Sequence, residues 1–343
     1  MSATLKDIAT ELNISVTAVS RGLRNMPDIS PETTKLIHQT AERLGYRKNF
    51  AASYLKTSKS MMLGIIVPDI CNPVFSYIYE GIEKECNKKH YILTLGNSNE
   101  NIDQEAAVMD KMVSHGVDGL FIIPSNESDG FYPQLDTLKV PYIILQRSSV
   151  KSPFLVRSND YEGGYIAAQH LYELGHRSFL LLFPSIKNPS AKERYNGFKD
   201  YLAKRNVGES KIQLIECGIT RTEGYRATKL WLNQHSVSPV ALSASAIFCF
   251  SDYIAYGVYS ALLESKYKVP DDISVIGYDN NEYSDIIYPA LTTIDLLPYD
   301  IGKQSAKLML NIVTSIYSSE NPPINKKILS PKLIIRNSTK SNI

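Results

Sequence analysis

The stretch T4-L-K-D-I-A-T-E-L-N-I-S-V-T-A-V-S-R-G-L-R24 decides how the rest of the chain is read. Leu5, Ile8, Ala9 and Leu12 recur at i, i+3, i+4, i+7 spacing, which predicts a first helix over 5–12. Ala9 is small where a second helix must cross closely. Asn13 tolerates the left-handed backbone of a tight turn, and Ser15 is a good N-cap for a helix from Val16 to Leu23. Val19 and Leu23 then face inward. A third helix opens on Ser30-Pro31, a cap followed by proline at the first helical position, carries the apolar series Leu36, Ile37, Thr40, Ala41 and Leu44, and closes at Gly45. Two helices joined by a tight turn and buttressed by a third form a helix-turn-helix, whose second helix fits the DNA major groove. On that reading Thr17 and Arg21 hydrogen-bond bases, Val16 and Ala18 touch thymine methyl groups, and Ser15 and Lys6 lie near phosphates.

Charge is distributed as this reading requires. The 343-residue chain has 37 Lys and Arg against 35 Asp and Glu, a net charge of only +2. Residues 1–60 hold nine bases and five acids, a net +4, so the remainder carries −2. A basic excess at one end suits phosphate binding. The plainer alternative is a three-helix cap whose polar face is merely solvated; terminal position, small crossing residues and local charge together favour DNA.

At 43% hydrophobic and 21% charged residues the composition is that of an ordinary globular protein, and the length favours two or three packed units over one core. No apolar run is long enough to cross a bilayer, so no membrane partner is expected. The start lacks the features of a secretory signal, and a cytoplasmic location is expected. Cys71, Cys86, Cys217 and Cys249 are scattered without zinc-ligand spacing and are expected to be reduced, buried thiols. No metal and no cofactor is expected.

From Met62 onward, continuous apolar runs alternate with helical stretches: 63–67, 91–95, 119–123, 141–145, 179–183, 247–250 and 273–277. Hydrophobicity without alternation marks strands buried on both faces of parallel sheets, and strands alternating with helices such as Val74 to Lys88 and Gly163 to Leu174 predict doubly wound α/β units. Such sheets bind ligands beyond the carboxyl ends of their strands. Polar residues gather there: Asp69, Ser125, Gln146-Arg147, Asp252 and Asp279, with Arg194 following the loop after the fifth strand. An arginine opposite carboxylates suits a polyhydroxylated ligand, because donors and acceptors can hold adjacent hydroxyls. Asp69 and Asp252 have an equally good reading as helix caps, and Phe75 as core.

The segments T4-L-K-D-I-A-x-x-L-N-I-S-V-x-x-V-S-R, G45-Y46, A52-x-x-L55, G64-I-I-V-P68, G116-V-D-G-L120, L174-G-H-R177, V275-I-G-Y-D279 and L291-T-T-I294 resemble the lactose-repressor family of bacterial transcription regulators, in order and over nearly the whole chain. The resemblance implies a three-helix DNA-binding domain (residues 1–47), a hinge helix and linker (48–60), and a periplasmic-binding-protein-like core (61–338) of two doubly wound parallel-sheet subdomains. These would take in 61–160 with 293–322, and 161–292 with 323–338. It implies that Val16, Thr17 and Arg21 read the major groove, that Thr4, Ser15, Thr33 and Asn49 hold the backbone, and that Lys56 touches the minor-groove floor beside Ala52 and Leu55. In the core it implies that Arg194 and Asp279 clamp the effector, that Phe75 stacks on it, and that Asn188 also contacts it. The family's common Asp-Arg after the fourth strand is Gln146-Arg147 here. The stretch Asn49 to Lys56 is too short for a stable isolated helix, and its Leu55 suits a minor-groove wedge; the alternative is a plain linker.

These readings lead to the expectation of a repressor of carbohydrate-utilisation genes. It would bind a pseudo-palindromic double-stranded operator as a homodimer and respond to a small effector, a sugar, sugar phosphate or nucleoside. The rivals are a sugar-binding transport receptor and a sugar-modifying enzyme with a similar core. No motif supplies a nucleophile together with a base, so catalysis is not expected.

Overall fold

The computed structural model describes residues 3–46, 59–125, 135, 137–147, 152–235, 243–316 and 325–342. The chain divides into two compact units, Met1–Ser60 and Met61–Ile343.

In the first unit, helix α1 (Leu5–Glu11) starts at a capping box: the Asp7 amide donates to the Thr4 hydroxyl and the Asp7 carboxylate accepts from the Thr4 amide at 2.8 Å. Asn13 turns the chain at φ +52°, and the Ser15 hydroxyl accepts from the Ala18 amide to open α2 (Val16–Gly22). α3 (Pro31–Arg43) is capped by Ser30. Ile8, Ala9, Val19, Ile37 and Ala41 form the buried core. Leu36 departs from the expected inward series and is 50% exposed. The stripe runs through Ile37, Thr40, Ala41 and Leu44, and Leu36 lies one residue, about 100° of helical turn, away from it.

The second unit contains two six-stranded sheets. The first, in the order β11-β5-β4-β3-β1-β2, is parallel throughout and comprises β1 (Met62–Val67), β2 (Ile92–Asn97), β3 (Leu120–Ile122), β4 (Tyr142–Leu145), β5 (Phe154–Ser158) and β11 (Asn325–Leu329). The second runs β12-β10-β9-β8-β6-β7, from β6 (Phe179–Phe183), β7 (Ile212–Glu216), β8 (Ala246–Cys249), β9 (Ser274–Tyr278), β10 (Thr292–Asp295) and β12 (Lys332–Ile334), with only β12 antiparallel. The expected parallel α/β architecture is therefore present, with helices α4 (Pro73–Asn87), α5 (Ile102–Ser114), α6 (Asp160–Glu173), α7 (Pro189–Ala203), α8 (Arg221–His235), α9 (Asp252–Glu264) and α10 (Pro298–Ile316) between the strands.

Two subdomain boundaries differ from the expected ones. β10 pairs with β9, so the second sheet extends through Asp295 instead of ending at 292. β11 pairs with β5, so 325–329 belongs to the first sheet and the return crossing falls between Leu329 and Lys332.

Three helix pairs meet at facing glycines. A Cβ on Gly81 of α4 would lie 2.3 Å from the carbonyl oxygen of Tyr299 in α10, one on Gly164 of α6 1.9 Å from that of Arg194 in α7, and one on Gly224 of α8 2.5 Å from that of Ile254 in α9. Backbones approach there as only glycine permits. Cys86 and Cys249 are buried as expected; Cys71 is exposed.

Candidate functional site

The first unit presents its polar positions at three helix starts. Thr4 and Ser15 are N-caps, and Thr33 lies in the first turn of α3 with its hydroxyl 2.9 Å from that of Ser30. Helix N-termini offer free amides to phosphate oxygens, so these places suit backbone contacts. Along α2, Val16 is 44% exposed, Thr17 is also exposed, Ala18 and Arg21 are partly covered, and Lys6 is exposed on α1. The Arg21 Nε lies 2.7 Å from Oδ2 of Asp28. Asn49, Ala52, Leu55 and Lys56 lie outside the described residues.

In the second unit a cavity of about 330 Å³ opens at the carboxyl ends of strands from both sheets. It is lined by Asp69 after β1, Phe75 on α4, Gln146 and Arg147 after β4, Arg194 on α7, Phe250 after β8 and Asp279 after β9. Its size suits a monosaccharide or nucleoside.

Arg194 is its most constrained group. Its Nε donates to Asp160 Oδ1 at 2.7 Å, Nη1 donates to the Phe250 carbonyl at 2.6 Å, and the guanidinium lies 3.4 Å from the Tyr278 ring centre and 4.3 Å from that of Phe250. Burial is the largest single influence and opposes its charge, but Asp160, Tyr278 and Asp279 together outweigh that penalty and raise its pKa. The aromatic walls add cation–π attraction and fix the plane. Asp279 is 8% exposed and strained at φ +109°; burial pushes its carboxyl well above the usual range, against the pull of Arg194. Arg147 donates to both Glu100 carboxylate oxygens at 2.8 Å and lies over Phe75. Gln146 accepts from the Ser158 amide at 3.0 Å, tying β4 to β5.

Five of the eight anticipated effector residues, Asp69, Phe75, Arg147, Arg194 and Asp279, come together in this cavity, whereas Ser125, Asn188 and Asp252 do not line it. The Ser125 hydroxyl pairs with that of Ser98, and Asn188 caps α7. Asp252 is fully buried and accepts from the Asn281 amide and the Ser284 and Thr293 hydroxyls. Burial raises its pKa to about 6, and those donors pull in the other direction. Its lone pairs are spent on anchoring the 281–284 loop and β10. The sequence reading missed Ser190, Thr220, Thr222, Phe250 and Tyr253, which also line the cavity. Phe250 was legible as the residue just past β8; the threonines follow β7, an edge strand with no strong apolar run.

A second, larger cavity of about 860 Å³ lies along α9 and the 283–289 loop. Leu263, Ile286 and Tyr288 stand beside it 79%, 71% and 96% exposed. Among the described residues no cluster of His, Cys, Asp and Glu has the arrangement of a metal site, and no helix is long and apolar enough to cross a membrane.

Residues 4–49 match the family described as "Bacterial regulatory proteins, lacI family", and residues 168–339 match "Periplasmic binding protein-like domain". The HTH-type transcriptional repressor PurR of Erwinia tasmaniensis is 30% identical over 316 residues, 91% of each chain. A solved structure of a LacI family transcriptional regulator from Enterococcus faecium, with bound ribose, is 30% identical and aligns over 82% of this chain and 100% of that one with a TM-score of 0.72. The lac repressor dimer bound to operator and the anti-inducer ONPF has the same fold at 22% identity, with a TM-score of 0.86 over 99% of this chain and 100% of its own.

Proposed function

The chain belongs to the lacI family of bacterial regulatory proteins and is a transcriptional repressor rather than an enzyme; from that premise we propose that it represses carbohydrate-utilisation genes under control of a monosaccharide-type effector. The carrying observation is the cavity's pairing of an immobilised Arg194 with a buried Asp279 beside the Phe75 wall. A fixed guanidinium supplies parallel donors, a buried carboxyl takes up hydroxyl groups beside it, and an aromatic face covers the apolar side of a sugar ring. The Enterococcus faecium relative with bound ribose supports the same class of ligand.

Operator recognition would use Val16, Thr17, Ala18 and Arg21 in the major groove, with Thr4, Lys6, Ser15 and Thr33 on the phosphates. One such helix contacts few bases, so a two-fold dimer on an inverted repeat is the economical arrangement. The exposed apolar residues Leu263, Ile286 and Tyr288 are the face on which a second copy would sit, since an apolar patch of this kind is uncommon on a monomer. Effector occupancy would be transmitted through residues 48–60, where Asn49, Ala52, Leu55 and Lys56 engage DNA, and the protein would act in the cytoplasm.

A selection from a random duplex library tests this reading. It should enrich an inverted repeat with two half-sites; uniform binding to all oligonucleotides would defeat it. A thermal-shift screen of the full chain against ribose, other sugars, sugar phosphates and nucleosides should find its largest rise in Tm among the sugars, because ligand binding stabilises by mass action. A largest rise with nucleosides would reassign the effector class.

A further inference from the structure

Arg21, the arginine assigned above to base reading, has an acidic neighbour within its own domain. Arg21 stands in the last turn of α2, and its Nε lies 2.7 Å from Asp28 Oδ2 in the loop leading to α3. Nε is covered from solvent and makes no hydrogen bond among the described residues, so Asp28 meets it as a close opposite charge, with 41% of the Arg21 side chain and 47% of that of Asp28 exposed. The loop that presents Asp28 is itself fixed. The Arg21 carbonyl accepts from the Arg24 and Met26 amides, each at 3.1 Å, the Ile29 amide donates to the Met26 carbonyl, and Ile29 packs on the three-helix core. The Arg21 guanidinium in turn holds the Asp28 carboxyl below its usual range.

Guanidinium geometry gives this pair a consequence. A carboxylate on the Nε side leaves the edge formed by Nη1 and Nη2 available, and that edge can meet O6 and N7 of guanine end-on. We propose that Asp28 is a specificity-determining residue of the DNA-reading surface, one that orients Arg21 for bidentate guanine recognition while its own negative charge weakens binding to DNA in general. The inference rests on the operator-binding reading above. It adds a positioning residue outside the reading helix, and a trade in which an acidic group lowers general affinity and raises discrimination. Both halves follow from one carboxylate: it restricts the arginine to one orientation, and it carries into a phosphate-lined groove a charge that phosphates repel.

The test uses the full chain and the inverted repeat enriched from the random library. Affinities of the wild type, Asp28→Asn, Arg21→Ala and the double variant are measured on that site, on single-base-pair variants of it, and on unrelated duplex over a salt series. Asp28→Asn should bind unrelated DNA more tightly, by about threefold to tenfold per dimer, because two repulsive charges are gone. Its discrimination at the base pair read by Arg21 should fall by about fivefold or more, with other positions unchanged. In the Arg21→Ala background, Asp28→Asn should no longer alter discrimination. A uniform loss at every position together with a lower Tm would show a purely structural role and overturn the proposal. Unchanged or improved discrimination at that base pair would also overturn it. Failure of the wild type to enrich any inverted repeat would instead remove the operator-binding reading on which it rests.

Discussion

Asp160 and Arg194 form a buried ion pair, with Oδ1 2.7 Å from Nε and the two side chains 3% and 7% exposed. The pair places the arginine between the rings of Tyr278 and Phe250, and the Tyr278 hydroxyl also donates to Asp160 at 3.3 Å. Asp160→Asn keeps the shape and removes the charge. It is expected to destabilise the protein by about 1–3 kcal/mol and to weaken sugar binding by about tenfold or more. Urea denaturation and calorimetric titration check the two effects; unaltered sugar affinity would show that Arg194 needs no such support.

The glycine crossing of α6 and α7 bears on the same group. A Cβ at Gly164 would meet the Arg194 carbonyl oxygen at 1.9 Å, so Gly164→Ala must push α7 away and move Arg194 with it. Overpacking of this kind costs about 1–3 kcal/mol. Gly224→Ala strains the α8–α9 crossing instead, at 2.5 Å from the Ile254 carbonyl. Both variants should lower Tm, and Gly164→Ala should cost more sugar affinity. Equal losses of affinity would break the link between that crossing and the cavity.

A pH effect follows from His176, which is 2% exposed and bonded to the Ser245 and Ser274 hydroxyls and the Lys340 carbonyl. Burial depresses its pKa from 6.5 to about 4. The unfolded chain therefore binds a proton at a pH where the folded chain does not. Its contribution, about 3 kcal/mol, is complete above pH 6.5 and is lost as pH falls towards 4. Asp252 works in the opposite sense, since its raised pKa of about 6 makes stability fall as pH rises from 3.8 through 6. The two are separated by comparing the wild type with His176→Gln: the variant should be less stable at pH 7.5 and should lose less on going to pH 5. Parallel losses would contradict the assignment.

If Leu263, Ile286 and Tyr288 form the self-association face, a charge there should split the assembly, because an unpaired carboxylate is costly to bury. Tyr288→Glu is expected to sediment as a monomer at micromolar concentration and to bind the inverted repeat no better than a single half-site. A variant that stays dimeric would move the interface elsewhere.

Division of labour between the units gives a further expectation. Arg21→Ala should lower discrimination between operator and unrelated duplex by about tenfold while leaving sugar affinity intact. Asp279→Ala should do the reverse. Anisotropy on labelled duplexes and calorimetry with the sugar read both quantities; loss of both functions in either variant would refute the separation.

The parts of this molecule that were legible in its sequence are those set by local forces. Thr4, Ser15 and Ser30 cap helices because short hydroxyl side chains reach the amide three residues on, and Asn13 turns the chain because its side chain tolerates φ +52°. Strands such as β1 and β6, buried along nearly their whole length, read as unbroken apolar runs. β5 carries Arg157, whose charge pairs with Glu193 on α7, 36 residues away, and β11 opens with Asn325, Lys326 and Lys327 at a sheet edge. Neither gives a local strand signal. In the cavity, Arg194 and Asp279 were legible through family resemblance. For Asn188 and Asp252 the sequence leaves the role open, because a polar residue beside a strand end is equally suited to a ligand, a helix cap or a loop anchor; here Asn188 caps α7 and Asp252 anchors the 281–284 loop. Thr220, Thr222 and Tyr253 reach the cavity only through the folding of the second sheet.

The central claim is that occupancy of the Arg194–Asp279 cavity governs the grip on DNA. Operator affinity measured by anisotropy, with and without a saturating amount of the sugar that raises Tm most, tests it directly. The expected result is a change in Kd of about fivefold to 150-fold, the range of coupling between linked sites, that disappears in Asp279→Ala. An identical Kd with and without that sugar, despite a persistent Tm shift, would contradict it.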